Sequence, residues 1–255
     1  MAKLLGTTLD WQSTIEEPLT LNESELHIWW LPLSISSDKK DYTLTLLSER
    51  QLEKYHRRST PELQESYLAG RYFLITLLAK YSNCKPTDIS LDYNRLNKPS
   101  LKHSPIEFNF TDTSIEGVNI GLLAFCLNQQ VGVDLEACSR VSEYEQIARR
   151  RFSKTELDYV QNENGSFDRE RCLAIWTRKE AYGKAIGKGI NFQMNQRNLV
   201  NEDFINSPFH YNFNDGQEDW RLLQIQPETR FIGTVVHQSH QELLIKAFNR
   251  PYQIA

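Results

Sequence analysis

The stretch STPELQESYLAGRYFLITLLAKYS, residues 59–82, does more than any other to limit what this 255-residue chain can fold into. Thr60 is placed to cap a helix, and Pro61 sits at the first helical position, where a missing N–H costs nothing. Leu63, Tyr67, Leu74, Leu78 and Tyr81 then recur at helical spacing, which predicts an amphipathic helix of roughly six turns. An apolar face of that length must be covered by another layer. Strand-like runs supply one. LHIWWLPLSI (26–35) reads as a first strand, broken by Pro32. FHYNFN, WRLLQIQ, FIGTVVHQ and LLIKAF read as strands from about residue 208 onward, with Asp215-Gly216 as a turn signal.

Between these lies NIGLLAFCLNQQVGVDLEA (119–137), two apolar runs flanking Asn128–Gln130, which predicts an antiparallel hairpin. In its second arm Val131, Val133 and Leu135 face one way and Gly132, Asp134 and Glu136 the other. The two carboxylates then share a face, about 7 Å apart at the backbone. Helices follow. SEYE (142–145) and SKTE (153–156) are capping-box patterns, and a third helix starts near Asp168 and runs to Gly187. The order of elements predicts an α+β fold in two similar halves, 1–125 and 126–255.

Charge and cysteine usage narrow the function. A net charge of -4 argues against bulk nucleic-acid binding. No run of 18 apolar residues predicts a transmembrane helix, and the short apolar run before Gly6 is not a signal peptide, so a cytoplasmic protein is expected. Cys84, Cys126, Cys138 and Cys172 form no C-x-x-C pair and are expected to be reduced and mostly buried.

The chemistry concentrates in WTRKEAYGKAIGKGI (176–190). Trp176, Glu180 and Lys184 stack at intervals of four, Lys179 points about 100° away, and Gly187 and Gly189 end the helix without side-chain bulk. If the strand pair lies beside this helix, Asp134, Glu136 and Glu180 supply three hard oxygen ligands suited to Mg²⁺, with lysines alongside for phosphates. That is an arrangement for metal-assisted phosphoryl chemistry. Each piece alone has a plainer reading: a solvated strand face, a Glu180–Lys184 ion pair, a core tryptophan.

Taken together these segments resemble the Sfp-type 4′-phosphopantetheinyl transferases. VGVDLE (131–136) matches that family's G-[IV]-D-[LIV]-E motif, and WTRKEAYGKAIGKG (176–189) its W-x-x-K-E-A-x-x-K-A-x-G-x-G motif. RFSKTE (151–156) is similar to R-F-F-S-x-x-E, and NKPSLKHSPIEFNFTDT (97–113) to G-K-P … F-N-x-S-H-S. The resemblance covers roughly residues 50–200. It implies two similar α+β halves about a pseudo-twofold axis, with coenzyme A in the cleft between them. It further implies Mg²⁺-dependent transfer of the phosphopantetheine arm to a serine of an acyl or peptidyl carrier protein, with release of adenosine 3′,5′-bisphosphate. Asp134, Glu136 and Glu180 fall on the Mg²⁺ positions, Glu180 also on the general base, and Lys184 on a lysine that contacts the coenzyme phosphates. Lys98 falls on another coenzyme lysine and Lys54 on the basic residue near the 3′-phosphate, with Arg57 and Arg58 as rivals. Lys179 matches the K of K-E and is grouped with the coenzyme-binding residues.

Two departures stand out. Thr111-Asp112 replaces the family's Ser-His beside the coenzyme, and Asn97 replaces a glycine. Asp112 is therefore expected to turn away from the phosphates or to pair with Arg95 or Lys98. Arg149, Arg150 and Arg151 could meet an acidic carrier, and Ile190, Phe192 and Met194 could pack against it. A monomer is expected, since both halves lie in one chain. The rival function is an inactive module that binds coenzyme A or a carrier.

Overall fold

The computed structural model describes residues 6–13, 18–139, 144–189, 193–200, 209–238 and 242–249. Its strands are β1 (Trp11–Gln12), β2 (Glu25–Pro32), β3 (Leu91–Tyr93), β4 (Pro99–Leu101), β5 (Ile106–Ile115), β6 (Val118–Leu127), β7 (Val131–Ala137), β8 (His210–Asn214), β9 (Asp219–Ile225), β10 (Phe231–Gln238) and β11 (Leu244–Phe248). Its α-helices are α1 (Ser37–Leu46), α2 (Glu49–His56), α3 (Pro61–Tyr81), α4 (Tyr144–Arg151), α5 (Lys154–Val160) and α6 (Arg169–Ala185). Two main sheets form, in the orders β1-β11-β2-β6-β5 and β7-β10-β9-β8, each with a long helix against it. The fold is α+β, as the order of elements implied.

The long helix predicted from Thr60 is α3, and the Thr60 side chain accepts from the Leu63 amide at 3.3 Å. Its buried surface is wider than one stripe. Ser66, Leu68–Gly70 and Tyr72–Ala79 are all covered, while Leu63 is 42% exposed. The second cover is α1 and α2, of which α1 shows no clear apolar stripe in its sequence. Leu44, Leu46, Leu52 and Tyr55 pack on Leu68 and Ile75 from the side opposite the sheet.

The hairpin expected over 119–137 does not form. β6 pairs with β2 and β5 in the first sheet, and β7 pairs with β10 in the second. The link at Asn128, in the left-handed region at φ 56, hands the chain from one sheet to the other. Two apolar runs joined by a short polar link carry no mark of which neighbour each will pair with. The true hairpin is β5–β6, turned by Glu116 and Gly117 at φ 51 and 79, the positive pair that a tight two-residue turn requires. The Asp215-Gly216 turn does form, between β8 and β9.

The two ends of the chain cross the expected cut near residue 125. β11 inserts between β1 and β2, so a strand from beyond residue 240 completes the first sheet. Conversely Thr7 bridges Ile225 at the edge of the second. Each half thus holds a piece of the other.

Candidate functional site

Gly132 explains how the site is assembled. A Cβ there would lie 2.1 Å from the Ala181 carbonyl oxygen, so only glycine lets α6 lie directly on β7. Strand alternation then turns Asp134 and Glu136 up against the same helix. Neither is the solvated face that such a pattern usually makes: they are 5% and 6% exposed. Lys184 Nζ sits 2.7 Å from Asp134 Oδ1 and donates at 3.0 Å to Thr111 Oγ1, which arrives from β5 in the other half. Lys184 thus pairs with Asp134 and not with Glu180. Trp176 Nε1 donates to Glu136 Oε1 at 3.1 Å and so orients Glu136, while the half-buried ring packs against the core cluster of Phe152, Cys172 and Ile175.

Glu180 is the carboxylate under most strain. Burial, then Asp134, push its pKa up to about 7 against the opposing pull of Lys184, and Glu136 adds to the rise. Its Oε1 is buried with no hydrogen-bond partner, and so is Asp134 Oδ2. The sign of the consequence is fixed. From its ordinary 4.5 up to about 7, the folded state keeps a proton that the unfolded state releases, so stability falls as pH rises through that window. In chelator, the thermal midpoint should drop across the window in the wild type and drop less in Glu180→Gln. Parallel curves for the two proteins would show that Glu180 has an ordinary pKa.

Lys179, grouped with the coenzyme-binding residues, belongs elsewhere. It is 0% exposed and points into the protein, 2.7 Å from Glu156 Oε2, donating also to the carbonyls of Met194 and Arg197 at 2.6 Å each. It cannot reach a ligand in this structure. Glu156 is the acid of the predicted Ser153 capping box, which forms as expected. Ser142 of the other predicted box, and Ile190 and Phe192, lie outside the described residues; Met194 is buried. Arg149 and Arg150 are exposed, the first with its guanidinium 4.6 Å from the Phe167 ring centre, whereas Arg151 lies close enough to Glu180 to favour its charged form. All four cysteines are unpaired, and Cys126 and Cys172 are buried.

A pocket of about 220 Å³, lined by none of the carboxylates of Asp134, Glu136 and Glu180, opens between α2, α3 and β5. Lys54, Arg58 and Arg71 bring three cations to it, with Tyr67 and Tyr93 as aromatic walls. Burial, then Arg50, Arg71 and Arg58, lower the Lys54 pKa, as expected of crowded positive charge. Arg57 is 78% exposed on its side chain and paired with Glu53, so it drops out as a rival to Lys54. Arg71 was missed because a lone arginine inside an apolar helix gives no pattern. Its Nε is buried without a partner. Asp112 is exposed on the lining of the same pocket, one residue along β5 from Thr111 and so on the opposite strand face. Among the described residues it pairs with neither Arg95 nor Lys98. Lys98 instead donates to the carbonyls of Ala185 at 2.7 Å and Val131 at 3.3 Å.

The donor set suits a hard divalent cation that also takes ligand oxygens. Two buried carboxylate oxygens lack partners, and Mg²⁺ commonly uses one or two carboxylates plus phosphates and water. Among the described residues no group of three or more His, Cys, Asp or Glu side chains is placed to hold a metal ion by itself. No described helix is long and apolar enough to cross a membrane.

Residues 130–238 match the model of the 4′-phosphopantetheinyl transferase superfamily. The chain is 27% identical over 217 residues to the 4′-phosphopantetheinyl transferase HetI of a Nostoc strain, covering 85% of this chain and 89% of that protein. It is 23% identical over 163 residues to the 4′-phosphopantetheinyl transferase Sfp of Bacillus subtilis, covering 63% and 69%. Over 137 residues it is 30% identical to the mouse L-aminoadipate-semialdehyde dehydrogenase-phosphopantetheinyl transferase, covering 50% and 44%.

Proposed function

We propose that this chain, a member of the 4′-phosphopantetheinyl transferase superfamily, moves the phosphopantetheine arm of coenzyme A onto a serine hydroxyl of an acyl or peptidyl carrier protein. The observation that carries the reading is the juxtaposition on β5. Thr111 touches the Lys184–Asp134 pair, and its neighbours Phe110 and Asp112 line the three-cation pocket. β5 is the edge strand of its sheet, and Asn109, on the Thr111 face, also lines the pocket, so one ligand with phosphates at two places would span both sites by crossing that edge.

In this reading Lys54, Arg58 and Arg71 bind the adenosine-phosphate end of the coenzyme. Asp134 and Glu180, with Glu136, would hold Mg²⁺, which when bound offsets negative charge on the pyrophosphate. Lys184 stands ready to transfer its ammonium from Asp134 to a phosphate oxygen. Glu180, at the same cluster, is the carboxylate placed to take a proton from the attacking serine. The serine oxygen attacks the phosphorus that bears the pantetheine arm, its proton passes to Glu180, and the bond to adenosine 3′,5′-bisphosphate breaks. The two oxygens of Glu180 allow metal binding and proton transfer to be divided between them. That one chain supplies every residue invoked supports a monomer, and four unpaired cysteines support a reducing compartment such as the cytoplasm. An inactive binding module would have no use for an acidic cluster with two unpartnered oxygens.

The test is intact-mass analysis of an apo carrier incubated with the protein, coenzyme A and Mg²⁺. One added phosphopantetheine, lost when the metal is chelated, is expected; an unchanged carrier mass across fatty-acid, polyketide and peptide-synthetase carriers would overturn the reading. Arg71 gives a second check. A charge-assisted hydrogen bond contributes about 1.5–3 kcal/mol, so Arg71→Ala should raise KM for coenzyme A roughly 10- to 150-fold with kcat little changed. A KM unmoved by the change would place the coenzyme outside this pocket.

A further inference from the structure

Lys98 raises a question that the proposed chemistry leaves open. Its ammonium bonds two elements at once: the Ala185 carbonyl in the last turn of α6, and the Val131 carbonyl at the first residue of β7. These elements carry Lys184 and Glu180 on one side and Asp134 and Glu136 on the other. Lys98 itself comes from the first half, in the turn between β3 and β4. Burial lowers its pKa, while Glu107, the acidic group that faces it, pulls the other way.

A second bond runs in parallel. Asn94 Nδ2 donates to the Gly187 carbonyl at 3.0 Å. Gly187 stands at φ 68, where the amides of Gly187 and Lys188 bond back to the carbonyls of Lys184 and Gly183 and close the helix. A Cβ on Gly187 would come within 2.8 Å of Asn94 Nδ2, so the helix end and the turn fit only without a side chain there. The turn is itself stapled. Asn94 Oδ1 accepts from the amides of Leu96 and Lys98, and the Asn94 amide donates to the Lys98 carbonyl. Its other side forms a wall of the anion pocket: the Tyr93 ring lies 4.3 Å from the Arg50 guanidinium and 5.3 Å from Lys54, and Asn97 and Pro99 line the cavity.

We infer that Asn94 and Lys98 form a latch that fixes the catalytic elements α6 and β7 against the coenzyme-binding half. Lys98 is then a positioning residue, not a phosphate ligand. The turn therefore joins the wall of the cation pocket to the end of the helix that bears Lys184. A coenzyme held at the pocket is thereby registered against the carboxylates. A ligand role for Lys98 would require it to leave the Ala185 and Val131 carbonyls.

The kinetic part of this inference rests on the transferase reading; the structural part does not. Lys98→Met keeps the stem and removes the donor. Hydrogen–deuterium exchange on the ligand-free proteins should show amides 183–188 exchanging at least about tenfold faster in Lys98→Met, with β2 unchanged. In the transfer assay kcat should fall roughly 10- to 100-fold, while KM for coenzyme A and Kd for adenosine 3′,5′-bisphosphate stay within about threefold. Asn94→Ala should move both readouts the same way by less, and it replaces Lys98→Met if that variant does not fold. Unchanged exchange at 183–188 overturns the latch. A tenfold rise in Kd for the bisphosphate with kcat preserved also overturns it, because that is the signature of a ligand. An inactive wild type would remove the transferase reading, and the exchange result would still decide the latch.

Discussion

Asp134→Ala is expected to keep its fold and lose at least about a thousandfold in turnover, close to 4 kcal/mol of transition-state stabilisation. Asp134 does two things that no neighbour can take over. Its Oδ1 holds Lys184 at 2.7 Å, and its Oδ2 is a buried acceptor left without a donor. The fold should survive, because Lys184 is 24% exposed on its side chain and can be solvated when its partner is gone. Asp134→Asn separates charge from shape: it keeps the volume and should lose nearly as much activity. Carrier mass shift against time, with near-ultraviolet circular dichroism as the fold control, gives the answer. Turnover within tenfold of wild type in a folded Asp134→Ala protein would take this carboxylate out of the chemistry.

The second large effect is on stability. Lys179→Ala should destabilise the protein by about 3–5 kcal/mol, because it leaves Glu156 charged and unpaired in a buried site. At roughly 2–4 °C per kcal/mol for a chain of this size, the melting temperature should fall by about 6–20 °C. All the partners of this pair are internal. Lys179 meets Glu156 and two carbonyls, while Glu156 accepts from the amides of Ser153 and Leu199. The double variant Lys179→Met, Glu156→Gln should recover part of the loss, since the glutamine carbonyl can still accept and no buried charge remains. A single variant that melts with the wild type would mean that the pair is open to water.

How much of this was legible beforehand follows from the kind of signal each element carries. α3 and α6 announce themselves through caps: Thr60 with Pro61, and Asp168, whose side chain accepts from the Arg171 amide. Asp134 and Glu136 were assigned to one face because strand alternation depends only on local geometry. The pairing of β6 and β7 was not legible. Both strands are buried almost throughout, and an apolar run does not encode its partner. α1 and α2 went unread, although Ser48 and Gln51 form a capping box; α1 is too polar to present a helical stripe. For side chains the divide is sharper. A lysine in a motif looks alike whether it meets phosphate or backbone. Lys184 faces the carboxylates, Lys179 faces inward and Lys98 crosses to the other half, and only three-dimensional surroundings separate the three.

The exchange of ends between the sheets sets a timetable for making this protein. β2 is synthesised early, yet one of its edges is paired by β11, more than 200 positions later. Until then Ile28, Trp29 and Leu31 belong to a strand with an open edge, the state in which nascent chains associate wrongly. Contacts so distant in sequence are also the slowest to form. The first half therefore cannot finish folding while the ribosome is still adding the second. The catalytic elements β7 and α6 emerge in that interval, before the strand that closes the first sheet has been made.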